Sequence, residues 1–452
     1  MRRKLYNKLL EWKNESQGKT ALLIEGARRV GKSYIAEEFA KENYKSYIII
    51  DFSKVNNNVK DLFEQYLDDL DTFFMLLSAY FSIELYSRES LIILDEVQLF
   101  PRARSAIKHL VADGRYDYIE TGSLISIKEN IKDILIPSEE EHIKMYPFDF
   151  EEFLWAIGDT TLMPAIRKMF ESKKPLGQLL HRKAMNIFRQ YMLVGGMPQA
   201  VNTFIETKDF NKVDKQKRLI LDLYKEDIAK NAGNYSIKIR NVFDQIPSQL
   251  QKHEKKFKLS SVEEGAKFRD YDDAILWLND SMIVNNAFNT TEPTIGLKMN
   301  TKLTSMKCYM GDTGLLISHT FDAKGIMSEE IYKKILFDKL EFNEGMFMEN
   351  IIAQLLVASN NNLYFYSNSS RNNSEDRMKI DFLIQKSKIT NRHNISPIEV
   401  KSGKNYTTIS LKKFIKKYAS FLDMPYIIHT NDFEIKDGIT YLPVYMTQLL
   451  SE

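Results

Sequence analysis

The sequence predicts an α/β protein. A parallel-sheet core is expected at the amino-terminal end, then a mostly helical middle, then a smaller α/β domain. Three observations carry that expectation. A short apolar run, Ala21-Leu22-Leu23-Ile24-Glu25, passes directly into a glycine-bracketed loop and then a helix-like stretch. A second run, Leu91-Ile92-Ile93-Leu94, ends in the acidic pair Asp95-Glu96. Near the other end, the strand-like runs Lys379 to Ile384 and Ser396 to Lys401 each carry an acidic residue.

At 452 residues the chain has room for about three domains. Apolar residues make up 44% and charged residues 27%, which excludes a wholly disordered chain, a collagen-like fibre and a disulfide scaffold. The single cysteine, Cys308, excludes an internal disulfide and a cysteine-rich zinc cluster. The stretch from Met1 to Lys19 is basic but lacks the apolar segment of a signal peptide, and no run reaches the roughly 20 apolar residues of a membrane span. A cytoplasmic protein with no membrane contact is the expectation.

Met1 to Lys13 reads as a short amphipathic helix with Leu5, Leu9 and Trp12 on one face. The strand from Ala21 to Glu25 then enters Gly26-Ala27-Arg28-Arg29-Val30-Gly31-Lys32-Ser33, followed by the helix-like Tyr34 to Ala40. That is GxxxxGK[ST] in the strand–loop–helix context it requires. Gly26 and Gly31 let the backbone curl so that successive amides face phosphates, and the next helix adds its N-terminal amides and dipole. Residues 26–33 are therefore the expected ATP-binding loop. Lys32 would reach the β- and γ-phosphates and Ser33 would ligate Mg²⁺.

A second strand is expected at Tyr47 to Ile50 and a helix from Lys60 to Leu85. The run from Leu91 to Leu94 suits a strand buried on both faces, with its carboxylates where the strand emerges. Asp95 would hold the Mg²⁺ shell and Glu96 would polarise the attacking water. One more strand, Tyr116 to Glu120, ends in Thr121-Gly122-Ser123. Ser123, with Thr121 as the alternative, is the candidate for orienting that water or sensing the γ-phosphate. Arg102, Arg104 and Arg115 are each candidate charge donors, and nothing in the sequence chooses among them.

Together these stretches closely resemble a prokaryotic family of AAA-like P-loop ATPases with an AAA_14 core and a DUF4143 carboxy-terminal region. The resemblance rests on GARRVGKS (26–33), LIILDEVQ (91–98), TGS (121–123), MYPFDFEEFL (145–154), YMLVGGMPQAV (191–201), KCYMGDTGLL (307–316), GMFMENIIAQLL (345–356) and IEVKSG (398–403). It implies an ATPase core at 1–155, a helical linker at 156–235, a winged-helix-like module at 236–318 and a nuclease-like domain at 319–452.

In the middle, Gly195-Gly196-Met197-Pro198 must interrupt the helical tract from Leu176 to Leu223. Lys252 to Lys258 holds four lysines against one glutamate and is a candidate phosphate-contacting patch, with a solvated turn as the plain alternative. Asp312 reads as a turn cap ahead of Gly314.

At the end, Glu399 and Lys401 share one face of a strand. Asp381 on a neighbouring strand can meet Glu399 to form a second divalent-metal site, with Lys401 beside it to orient water or offset phosphoryl charge. This looks like the Asp…(Glu/Asp)-x-Lys core of the restriction-endonuclease-like superfamily, which implies Glu349 as its helical acidic residue. Lys379 departs from that pattern. Residues 371–417 carry 12 Lys or Arg against four Asp or Glu, a balance that favours a polyanion such as DNA. The leading expectation is a Mg²⁺-dependent ATPase that controls a nuclease-like domain on DNA. The alternative is a nucleotide-gated switch that binds a protein partner and cleaves nothing.

Overall fold

Five strands build the sheet of the first unit: β1 (Ala21–Glu25), β2 (Ser46–Asp51), β3 (Ser90–Asp95), β4 (Asp117–Gly122) and β5 (Glu140–Lys144). All pair in parallel, in the order β2-β3-β4-β1-β5. Every residue of β1, β3 and β4 is buried, as strands covered on both faces require. The computed structural model describes residues 1–122, 138–252, 254–321, 344–369, 374–386, 391–403 and 406–451. These form two compact units, Met1–Tyr146 with Asp280–Met282, and Pro147–Asn279 with Ile283–Glu452.

Two local expectations change in the first unit. The single helix expected from Lys60 to Leu85 is two, Asn57–Gln65 and Leu70–Phe81. The break falls where Asp69 turns its side chain to accept from the Thr72 amide (3.2 Å) and starts the second helix as its cap. Thr121 and Gly122 also continue β4 instead of turning, paired with Ile24 and Glu25 of β1. Both helices pack Phe63, Phe73, Phe74 and Leu77 onto Ile92 and Leu94 of the sheet.

The second unit combines helices with an eight-stranded mixed sheet. Its strands are β6 (Val284–Thr290), β7 (Thr301–Met310), β8 (Tyr364–Asn368), β9 (Met378–Gln385), β10 (Ile395–Val400), β11 (Tyr426–His429), β12 (Glu434–Lys436) and β13 (Ile439–Pro443). Their order is β12-β13-β11-β10-β9-β8-β6-β7. The β6–β7 hairpin, inside the stretch expected as a winged-helix-like module, therefore lies in one sheet with the carboxy-terminal strands, through parallel pairing of β6 with β8.

The helical tract breaks where the paired glycines demand it, between helices Gln178–Val194 and Pro198–Thr207. Asp312 closes that break. Its Oδ2 accepts from the Gly196 amide (2.6 Å) and its Oδ1 from the Leu315 amide (2.8 Å), which caps helix Thr313–Thr320. A Cβ on Gly314 would stand 2.6 Å from the Gly195 backbone, so only glycine permits this approach. Lys217 is buried nearby and donates to the Leu193 carbonyl (2.8 Å). Burial draws its pKa down to about 8 against the pull of Asp214 and Asp312.

Replacing Asp312 with Ala orphans two buried amides, a loss of about 2–4 kcal/mol. The expected outcome is a lower urea midpoint at unchanged slope, with Asp312→Asn falling between variant and wild type.

Candidate functional site

The phosphate-loop geometry follows from its backbone. Arg29 (φ 70°) and Gly31 (φ 99°) both take left-handed conformations, which turns the chain into helix Lys32–Asn43. Gly26 has no room for a side chain, since a Cβ would meet the Met145 carbonyl at 2.5 Å. Lys32 is buried and folds back over its own loop, donating to the carbonyls of Gly26 (3.0 Å) and Ala27 (3.2 Å). Those carbonyls hold the ammonium at the mouth of the amide cradle.

Ser33 Oγ donates to Asp95 Oδ1 at 2.7 Å, so the two expected Mg²⁺ ligands already touch. Thr121 Oγ1 donates to the same oxygen. This is possible because β4 lies between β1 and β3, which places its tip between the phosphate loop and the acidic pair. Thr121, one of the expected pair, thus meets Asp95; Ser123 lies outside the described residues. Glu96 stands in left-handed backbone (φ 55°), strained for a side chain of its size, and its carboxylate accepts from Gln98 Nε2. The donor set of one ionisable carboxylate and one hydroxyl suits a hard cation such as Mg²⁺.

The second unit gathers Glu349 from helix Glu344–Ala358, Asp381 from β9 and Glu399 from β10, all buried. Lysines fill the space around them. Glu349 accepts from Lys307 Nζ (2.7 Å), from Lys255 Nζ and from Tyr309 Oη. Asp381 Oδ1 pairs with Lys379 (3.2 Å) and Lys307 (3.7 Å), and its Oδ2 accepts from the Val400 amide (3.0 Å). Lys401 pairs with Glu399 at 3.2 Å. Among the described residues, no group of three or more His, Cys, Asp or Glu is arranged to hold a metal ion.

Three family models match: an AAA domain (AAA_14) over residues 18–154, a domain of unknown function (DUF8612) over 185–324, and another (DUF4143) over 344–447. The chain carries an AAA-type P-loop ATPase domain with a carboxy-terminal DUF4143 domain. A search among curated proteins finds no match. Among solved structures, a Walker-type ATPase of Pyrococcus abyssi is 16% identical, with 70% of this chain and 95% of that one covered at a TM-score of 0.38. The Drosophila ORC bound to DNA is 13% identical, covering 72% and 96% at 0.28. Domain III of the Thermotoga maritima replication initiation protein DnaA is 15% identical, covering 50% and 85% at 0.23. These structural likenesses are loose.

Within the AAA domain, the three candidate arginines all have acidic partners. Arg104 is buried in a two-pronged pair with Glu140 (2.9–3.1 Å), Arg115 pairs with Asp113 and Asp71, and Arg102 pairs with Glu64 at the surface. Nearby Glu120 is fully buried and neither of its oxygens has a hydrogen-bond partner. Burial first, and Glu140 second, push its carboxyl well above the ordinary range, with Arg104 opposing them. No helix among the described residues is long and apolar enough to cross a membrane.

Beside the DUF4143 domain, Lys255 of the expected phosphate patch turns inward to Glu349, and the Phe257 amide donates to the Met306 carbonyl (2.8 Å). His253 of that patch lies outside the described residues. The sequence reading missed Lys307 and Tyr309. Their spacing of two along β7 puts them on one face, a signal available in KCYMGD.

Burial raises Glu399 to about 7 from its ordinary 4.5, against the opposing pull of Lys401. A carboxyl raised in this way binds its proton more tightly folded than unfolded. Its contribution is fully present below pH 4.5 and is lost as pH rises through 7. Glu399→Gln should flatten stability between pH 5 and pH 8 by about 2 kcal/mol, read from urea midpoints at each pH.

Proposed function

We propose that this chain is a cytoplasmic, Mg²⁺-dependent ATPase whose nucleotide state governs its carboxy-terminal domain, acting on DNA. The observation that carries the ATPase reading is the contact of Ser33 and Thr121 with one oxygen of Asp95. In this reading the amides of Gly26, Ala27, Arg28, Arg29, Val30, Gly31, Lys32 and Ser33 cradle the phosphates. Lys32 exchanges the carbonyls of Gly26 and Ala27 for β- and γ-phosphate oxygens. Ser33 and Asp95 would hold Mg²⁺, which would supply positive charge against the phosphate oxygens. Glu96 leaves Gln98 to polarise the water that attacks the γ-phosphorus, and Thr121 fixes the Asp95 carboxylate for its task. Ser123 is kept as a second candidate for sensing the γ-phosphate.

Steady-state phosphate release tests this reading, measured with and without duplex DNA. Lys32→Ala should abolish ATP binding. Glu96→Gln should bind ATP and release no phosphate. Thr121→Val should lower kcat about 10–100-fold with KM little changed, because it loosens an orienting contact to a metal ligand. Normal turnover in Lys32→Ala would sink the phosphate-site assignment. Stimulation by duplex DNA that Glu96→Gln abolishes would support the coupling to a nucleic-acid surface.

For the carboxy-terminal domain, one version of the reading is phosphodiester cleavage at a second divalent metal held by Glu349, Asp381 and Glu399, with Lys401 offsetting phosphoryl charge. The ion pairs that Glu349, Asp381 and Glu399 make with lysines favour the other version, a nucleotide-gated module that binds a partner without cleaving it. Intact DNA together with nucleotide-dependent capture of a protein would support that version. Cleavage lost in both Asp381→Ala and Glu399→Ala would support the first.

A further inference from the structure

A divalent-cation site needs carboxylate oxygens that converge with their lone pairs free. In the carboxylate centre of the second unit, Glu349 and Asp381 lack that property, while Glu399 Oε2 has no hydrogen-bond partner and stands 3.2 Å from Lys401. Both oxygens of Glu349 are taken, Oε1 by Lys307 and Tyr309, Oε2 by Lys255. Both oxygens of Asp381 are taken as well, Oδ1 by Lys379 and Lys307, Oδ2 by the Val400 amide. Among the described residues, Lys307 is the ammonium that pairs with two of the carboxylates. It is fully buried, and it lies 5.0 Å from the ring centroid of Phe365 and 5.7 Å from that of Phe382. An ammonium so placed is stable only because two carboxylates compensate it, and removing either partner strands the other.

The charge count points the same way. Lys255, Lys307, Lys379 and Lys401 already outnumber Glu349, Asp381 and Glu399. A divalent ion would add two charges to a centre that is already net positive, and it would have to displace Lys307 from between Glu349 and Asp381. The residues do not fit a metal. We infer that Lys307 is the resident cation of this centre, which is an ion-paired core that takes no divalent ion. This deepens the non-cleaving version of the reading above and is independent of whether the first unit hydrolyses ATP.

The test uses the full chain without nucleotide and titrates it calorimetrically with Mn²⁺. Any uptake at the phosphate loop is common to wild type and Asp381→Asn, so the expected result is identical isotherms for the two. Wild-type uptake that Asp381→Asn removes would overturn the inference. The reciprocal variant, Lys307→Met, leaves Glu349 and Asp381 without their shared counter-charge. Its Tm should fall by roughly 5–10 °C. Mn²⁺ should restore it, with one added equivalent taken up, and Lys307→Met/Glu349→Gln should lose that restoration. A Lys307→Met protein as stable as wild type and unresponsive to Mn²⁺ would also overturn the inference. If that variant fails to fold, the comparison of wild type with Asp381→Asn still decides.

Discussion

The first unit converges on a single oxygen. Asp95 is buried at the end of β3, and a carboxylate removed from water must be supplied with donors. Ser33 at the start of one helix and Thr121 at the tip of β4 both donate to its Oδ1. Since β4 separates β1 from β3, this pair of hydrogen bonds fastens the phosphate loop to the acidic strand across the intervening strand. The next residue, Glu96, inherits the consequence: left-handed backbone at that position, an arrangement that costs about 1–3 kcal/mol and persists only because β3, β4 and the short turn Val97–Leu99 over-determine it.

The two units satisfy buried carboxylates in opposite ways, and the difference is chemical. Around Asp95 the donors are neutral hydroxyls, which a cation can replace without leaving any charge uncompensated. Around Glu349 and Asp381 the partners are ammoniums, which cannot be displaced without stranding a charge of their own. Burial alone would push Glu349 up, yet Lys255, Lys307 and Lys379 hold it well below the ordinary carboxyl range. The first arrangement is open to exchange with an incoming metal. The second is closed, and it ties helix Glu344–Ala358 to β7 and β9 through charge as well as packing.

How much of this could be read from the chain depended on distance along it. The phosphate loop was legible because its chemistry is written in eight consecutive residues between a strand and a helix, and Asp95-Glu96 because a buried strand ends there. The contact of Thr121 with Asp95 was not, since it turns on β4 running two residues further than its apolar pattern suggests. Asp312 was legible as a cap, though its second duty at Gly196, 116 residues away, was hidden. The lysines around Glu349 were hidden for the same reason. Lys307 lies 42 residues from it and Lys255 lies 94, and no local pattern brings them together.

That lesson bears on the basic charge near the carboxy terminus. A window total counts every lysine alike, but Lys379 and Lys401 are spent on Asp381 and Glu399 in the interior. Lys412 and Lys417 are different. Their partners are the exposed Asp437 and the half-exposed Asp376, and surface pairs of that kind contribute little and exchange readily. Lys412 and Lys417 of helix Ile409–Tyr418 thus lie at the surface, whereas Lys379 and Lys401 are largely turned inward. The electrostatics that would draw a phosphate backbone and the electrostatics that hold the buried centre are carried by different lysines, so neither can be inferred from the other.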